Sequence, residues 1–165
     1  MDKDEILKEI EKTKEHLANM EKMLGECEYE RWNPKPSQEY YCVDGGNIVK
    51  RVSFNTMNAY DRDRIKAYNC FQTREQAEQE AEKILVRRML ENIARRLNKG
   101  NKIDWNNDKQ FKYYICIDSR DNEIIWDREV RYISQGIVYC LDINFCNVAI
   151  QEIGEQRLKA YLKGE

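Results

Sequence analysis

The run Glu39-Tyr40-Tyr41-Cys42-Val43-Asp44-Gly45-Gly46-Asn47-Ile48-Val49, followed by Phe71-Gln72-Thr73-Arg74-Glu75-Gln76-Ala77, decides how this chain is built. Alternation and aromatic residues from Glu39 to Val43 predict a strand. Gly45-Gly46-Asn47 predicts a hairpin turn, because these residues tolerate positive φ. Ile48 to Phe54 is then the returning strand, Asn55 to Asp63 a polar loop, and Arg64 to Cys70 a third strand. Thr73 is placed to cap a helix, and Gln76 completes a capping box. That helix should run to about Leu97, with Lys99-Gly100 ending it. Upstream, Trp32-Asn33-Pro34-Lys35-Pro36 is extended, since each proline pushes its predecessor out of the helical region.

Much of this order recurs. Trp105 precedes Tyr113-Tyr114 as Trp32 precedes Tyr40-Tyr41, a shift of 73. Both tyrosine pairs lead to acidic turns, at Asp44 and Asp118. Phe71, Thr73, Ala77, Ala81 and Ile84 correspond to Cys140, Asp142, Cys146, Ile150 and Ile153, a shift of 69. The second unit thus reads as a strand from Lys112 to Asp118, a turn, a return from Glu123 to Val130 and a third strand ending at Cys140. A helix capped by Asp142 follows, and Gly154 interrupts it. The first unit's helix, with its stripe Ala77, Ala81, Ile84, Leu85, Met89, Ile93 and Leu97, is longer than a three-stranded sheet can cover. Its end is expected to pack on the second unit or project toward a partner.

Before these units, Ile6, Ile10, Leu17, Met20 and Leu24 recur at helical spacing, with Thr13 and Cys27 in the same register. This is a three-heptad seam. A lone helix of this length is marginal in water. It would zip against a second copy, giving a homodimer, or fold back on the body, and both readings stay open here. The expected fold is α+β: a coiled-coil helix over 1–30, a first β-β-β-α unit over 31–102 and a second over 103–165, with antiparallel sheets.

Charge is uneven over the 165 residues. Residues 1–30 hold 5 Lys/Arg against 10 Asp/Glu (−5), 31–102 hold 15 against 9 (+6), and 103–165 hold 8 against 11 (−3). No apolar run approaches the ~18 residues of a membrane span, and the first residues lack the apolar core of a secretion signal. A soluble, cytoplasmic protein is expected. Cysteines at 27, 42, 70, 116, 140 and 146 form no Cys-x-x-Cys pair, and His16 is the sole histidine. Tight Cys/His spacing for zinc is therefore absent, and reduced thiols packing as small hydrophobes are expected. No nucleophile or phosphate-loop motif occurs. Asp104, Asp108, Asp118 and Asp121 read as turn formers rather than Mg²⁺ ligands. The expectation is a non-enzyme with no catalytic residue, no metal and no cofactor.

Two residue sets could bind a partner. Lys50, Arg51, Arg62, Arg64 and Lys66 fall on or near the second and third strands of the first unit, and Arg87 and Arg88 lie in the basic half of its helix. A three-stranded sheet backed by a helix can lay its open face in a DNA major groove; a merely solvated face is the other reading. The aromatics Trp32, Tyr40, Tyr41, Phe54, Trp105, Tyr113, Tyr114 and Trp126 either fill cores or stack on bases and grip a partner. Adjacent strand residues point to opposite faces, so one tyrosine of each pair should be inside and one outside.

The strand, strand, strand, Phe71-x-Thr73-x-x-x-Ala77 order over about 38–82 resembles the AP2-type arm-site DNA-binding domains of phage integrases. A wider likeness spans nearly the whole chain. The heptad helix, Arg31-Trp-x-Pro34, Tyr40-Tyr41-x-x-Asp44, Asn69-Cys-Phe-x-Thr73-x-x-x-Ala77-Glu78, Gly136-Ile-Val-Tyr139 and Ala149-Ile-Gln-Glu-Ile-Gly154 are similar to small uncharacterised proteins of phages and prophages in low-GC Gram-positive bacteria. These motifs are structural and carry over no catalytic residue. Cys140 and Leu141-Asp142-Ile143-Asn144 depart from the set's usual aromatic and Ser/Glu-rich helix start. The resemblance implies an accessory protein in the host cytoplasm. One expected role is a stoichiometric inhibitor of a bacterial defence system, anti-CRISPR-like or binding a defence signal, whose partner is a host defence protein or its nucleic acid or nucleotide ligand. The alternative is an AP2-like accessory or regulatory protein binding double-stranded DNA.

Overall fold

The computed structural model describes residues 12–14 and 32–164. The chain divides into two compact units, Met1–Asn33 and Pro34–Glu165. The seam residues Ile6, Ile10, Leu17, Met20 and Leu24 lie outside the described residues; of that stretch only 12–14 are described, and they are helical and exposed.

The second unit is a mixed α and β structure with two small antiparallel sheets. In chain order it contains β1 (Glu39–Val43), β2 (Val49–Ser53), α1 (Ala59–Lys66), α2 (Arg74–Asn98), β3 (Lys112–Asp118), β4 (Glu123–Glu129), α3 (Phe145–Ile153) and α4 (Glu155–Lys163). Among the described residues, β1 pairs with β2 and β3 with β4, and neither hairpin has a third full strand.

Local chemistry accounts for the first hairpin and the helix that follows. Asp44 Oδ1 accepts the amides of Gly46 and Ile48 at 3.0 and 3.1 Å, and Asn47 takes φ 60°. A side chain bonding the turn's own amides closes it without other support. At the head of α2 the capping box is complete: Gln76 N–H reaches Thr73 Oγ1 at 3.3 Å, and Thr73 N–H reaches Gln76 Oε1 at 3.2 Å. Lys99, at φ 49°, ends the helix and Gly100 follows at φ 83°.

The expected strand from Arg64 to Cys70 is not formed. Asn58 Oδ1 accepts the Tyr60 amide at 3.0 Å and starts α1 instead. The helix closes where Asn69 N–H bonds Arg64 O at 2.9 Å and Tyr68 N–H bonds Ile65 O at 3.1 Å, with Tyr68 at φ 59°. That pattern is a Schellman stop with tyrosine in the place glycine usually holds. Main-chain pairing with the sheet reduces to a single bridge between Phe71 and Tyr41, while the Asn69 side chain accepts the Val43 amide at 2.8 Å and donates to the Val43 carbonyl at 2.6 Å. The second hairpin is treated alike: the expected strand ending at Cys140 reduces to one bridge with Tyr113. Each hairpin is therefore two strands plus one bridge.

Those bridges also correct the register of the two halves. Tyr41 matches Tyr113, a shift of 72, so the tyrosine pairs are offset by one residue from each other. One residue swaps the faces of a strand. Val43 and Ile115 then share a role, each buried against helices, while Tyr40 and Lys112 share the opposite face and are both fully buried. Tyr41, Tyr113 and Tyr114 are all half-buried rather than cleanly in or out.

The long helix joins the two cores. Its first half gives Ala77 and Ala81, which pack with Val43, Tyr41, Val49 and Phe71. Its second half gives Val86, Leu90, Ile93 and Ala94 to a larger core with Ile115, Phe145, Ala149, Ile153 and Leu158. The end of α2 thus packs on the second hairpin's helices, as its length required. Asp142 Oδ1 accepts the Asn144 amide at 2.8 Å, yet the helical N-cap position is Asn144, whose side chain makes no cap bond. Gly154, at φ 92°, separates α3 from α4. Cys42, Cys140 and Cys146 are buried free thiols, and burial pushes them up. No helix among the described residues is long and apolar enough to cross a membrane.

Candidate partner-binding surface

The basic set singled out in the sequence is dispersed. Lys50 and Arg51 are neighbours on β2 and so project from opposite faces. Lys50 pairs with Asp44 at 2.7 Å, and Arg51 pairs with Glu39. Arg62 donates to Thr56 O at 2.9 Å. Arg64 is turned inward, 3.1 Å from Asp61 and 3.2 Å from the Tyr40 hydroxyl. Arg87 bonds Glu91 at 3.0 Å, and Arg88 bonds Asn47 at 2.9 Å. Lys66 sits exposed at the end of α1. Each face of the first hairpin meets a helix: Asp61 of α1 bonds Tyr40 on one side, and α2 packs Tyr41 and Val43 on the other. A groove-docking array of these residues is not assembled.

The second hairpin carries a different set. The Trp126 ring meets Tyr113 edge-on at 5.6 Å, and the Arg128 guanidinium lies over the Phe111 ring at 4.3 Å. Tyr113, Trp126 and Arg128 share one face, since Tyr113 stands opposite Arg128 and Ile115 opposite Trp126, and Phe111 joins them through its contact with Arg128. Trp126 is 44% exposed, and Phe111 is similarly open. Ile125, also exposed, projects from the opposite face of β4, and Tyr132 and Ile133 just beyond the strand are exposed as well.

This surface rests on a fixed base. On the opposite face Tyr139 packs edge-on against Trp105 at 5.0 Å and Tyr114 at 5.7 Å. The buried ammonium of Lys112 donates to Val130 O at 2.8 Å and Asn107 O at 3.2 Å and sits 5.2 Å from the Trp105 ring centre. Carbonyls and an indole face replace the usual carboxylate. Tyr114 donates to Asp127 at 3.2 Å; burial and this bond push the phenol up to about 12. Arg131 clamps Asp108 at 2.8 Å, holding that carboxyl below its usual range. Loop 104–110 and the end of β4 are thereby tied to the same hairpin.

Of these residues, Trp126, Tyr113, Tyr114 and Trp105 stand out in the sequence as aromatics. Phe111, Arg128, Lys112 and Tyr139 do not, because nothing local marks a buried lysine or a cation–π pair. Among the described residues, no group of three or more His, Cys, Asp or Glu side chains is placed to hold a metal ion. A groove of about 470 Å³ also lies at the C-terminal end of α2, between Arg95, Asn98, Lys102, Val138 and Tyr139. Comparison with known protein families, with curated proteins and with solved structures gives no match for this chain.

Proposed function

We propose that this is a non-enzymatic accessory binding protein of phage type, a stoichiometric inhibitor that grips a component of a bacterial defence system, with the second hairpin as its gripping surface. The observation that carries this reading is the cluster of exposed Phe111, Trp126 and Arg128 around half-buried Tyr113. Tryptophan, tyrosine and arginine are the side chains that dominate interface energetics, and here they stand on a strand fixed from behind. The defence-system assignment rests on the sequence likeness alone. Self-association through the leading heptad seam belongs to the same proposal, since two copies would present two such surfaces.

The test is a pull-down of the full chain from host lysate, with and without nuclease, beside the Trp126→Ala, Arg128→Ala double variant. The proposal expects a host protein retained at fixed ratio after nuclease and lost by the variant. The alternative, a protein binding double-stranded DNA, draws on the +6 charge of residues 31–102. It predicts instead that capture vanishes with nuclease and falls steeply with salt. Internal pairing of Lys50, Arg51, Arg64, Arg87 and Arg88 leaves that reading less support.

A further inference from the structure

One side of β4 has unused backbone. Tyr113 gives its N–H to Cys140 O at 2.7 Å and accepts Cys140 N–H at 2.8 Å. Both its main-chain groups therefore face away from β4, and Tyr113 and Arg128 form a non-hydrogen-bonded pair of the antiparallel ladder. By alternation Ile115 with Trp126 and Ile117 with Ile124 are non-bonded pairs too. The main-chain groups of Ile124, Trp126 and Arg128 then point outward, where no other strand lies among the described residues. Asp127 Oδ1 occupies the Arg128 amide at 2.7 Å. The N–H and C=O of Ile124 and Trp126 have no protein partner among the described residues.

Free edges are normally blunted by lysine, proline or a bulge. The β2 edge carries Lys50 and Arg51. β4 has no lysine or proline and its register with β3 is unbroken; its charges are Arg128 and the three acids Glu123, Asp127 and Glu129, so the edge is guarded mainly against acidic strands.

A second copy fits poorly. In an antiparallel ladder, opposed residues are both bonded or both non-bonded, so two β4 strands must match Ile124, Trp126 and Arg128 among themselves. Centring on Trp126 sets Glu123 against Glu129 of the second copy. Moving toward Arg128 sets Asp127 against its own counterpart. Moving toward Ile124 sets Glu123 against Asp127. Directly opposed like charges are destabilising, so each central register repels. A foreign strand carrying cations has no such conflict.

We infer that β4 takes up an extended basic segment of another protein as an added antiparallel strand, with Lys or Arg opposite Glu123, Asp127 and Glu129 and apolar side chains opposite Ile124 and Trp126. This rests on the reading of the second hairpin as the gripping surface and adds the partner's chemistry and mode of attachment.

The test pans displayed random short peptides on the full chain, then measures the best binder by fluorescence anisotropy. Enriched sequences should alternate basic and apolar residues. Affinity should fall roughly tenfold with Asp127→Lys, as attractive cross-strand pairs become repulsive, and panning that variant should enrich acidic alternation. N-methylation of the peptide at one set of alternate amides should abolish binding, while the other set tolerates it. Enrichment of acidic or non-alternating sequences on the unaltered chain, no enrichment, or equal tolerance of both N-methyl sets would overturn strand addition. Concentration-dependent self-association of the full chain that Asp127→Lys strengthens would make the occupant a second copy instead. The pull-down contrast between the chain and its Trp126→Ala, Arg128→Ala variant can still succeed in each of these cases, so the two readings fail separately.

Discussion

Asp61 accepts the Tyr40 hydroxyl at 2.7 Å, and both side chains are fully buried. The same carboxylate receives the Asn55 amide at 2.9 Å and Arg64 at 3.1 Å. One buried acid thus fastens α1 and the loop before it onto β1.

Removing that acid leaves Arg64 and Tyr40 facing each other without a counter-charge. Asp61→Ala is expected to cost about 3–5 kcal/mol, the usual penalty for breaking a buried pair from one side; Tyr40→Phe should cost about 1–3 kcal/mol. Burial disfavours the Asp61 anion, yet Asn55, Tyr40 and Arg64 together hold its carboxyl below the usual range. A depressed folded value means the contribution is full above the unfolded aspartate pKa of ~3.9 and is lost as pH falls below it. Urea melts of the chain from neutral to acid pH should show that loss, and in Asp61→Asn this part of the acid dependence should disappear.

Because α2 serves both cores, the two hairpins should not melt separately. Ile93→Ala, in the second core, is expected to cost about 2–5 kcal/mol. It should lower the stability of the first hairpin equally. Hydrogen exchange at Tyr40 and at Cys116, followed with denaturant, checks this: a shared transition is expected, and protection lost at Cys116 alone would mean two independent lobes.

Lys112 offers a sharper test of the second hairpin's base. Replacing it with Met keeps the volume but orphans the carbonyls of Val130 and Asn107. A cost of about 1–3 kcal/mol is expected, with exchange in residues 105–110 speeding up more than exchange in β1.

Lys99 holds a left-handed conformation at the end of α2 with φ 49°. Non-glycine residues pay roughly 1–2 kcal/mol there, partly offset by glycine's larger unfolded-state entropy. Lys99→Gly should raise stability by about 0.5–1 kcal/mol in thermal melts.

Residues with short-range chemistry were readable in the sequence. β1 and β3 occupy the expected spans, and Asp44 to Asn47 turn where expected. The Thr73–Gln76 box starts α2, while Lys99-Gly100 ends it. α1 was not readable, because the residue that anchors it is a buried aspartate and an amphipathic pattern needs apolar anchors. The third strands were misjudged because one bridge at Phe71 or Cys140 produces the same local composition as a strand end. The tyrosine pairs misled by one residue, since identical letters suggested equivalence where faces decide it. The candidate surface was half visible: Trp126 was noted, but its exposure depends on α3 and α4 packing on Ile115 and Ile124 and not on Trp126, which no local pattern reveals.

The proposed grip of Trp126 and Arg128 on a protein partner can be decided by native mass spectrometry of the complex captured from host lysate, using the full chain and its Trp126→Ala, Arg128→Ala variant at matched thermal stability. The account predicts a fixed-ratio complex with a host protein for the unaltered chain and none for the variant. An equal complex with the variant, or a captured component chemically altered by the chain, would contradict it.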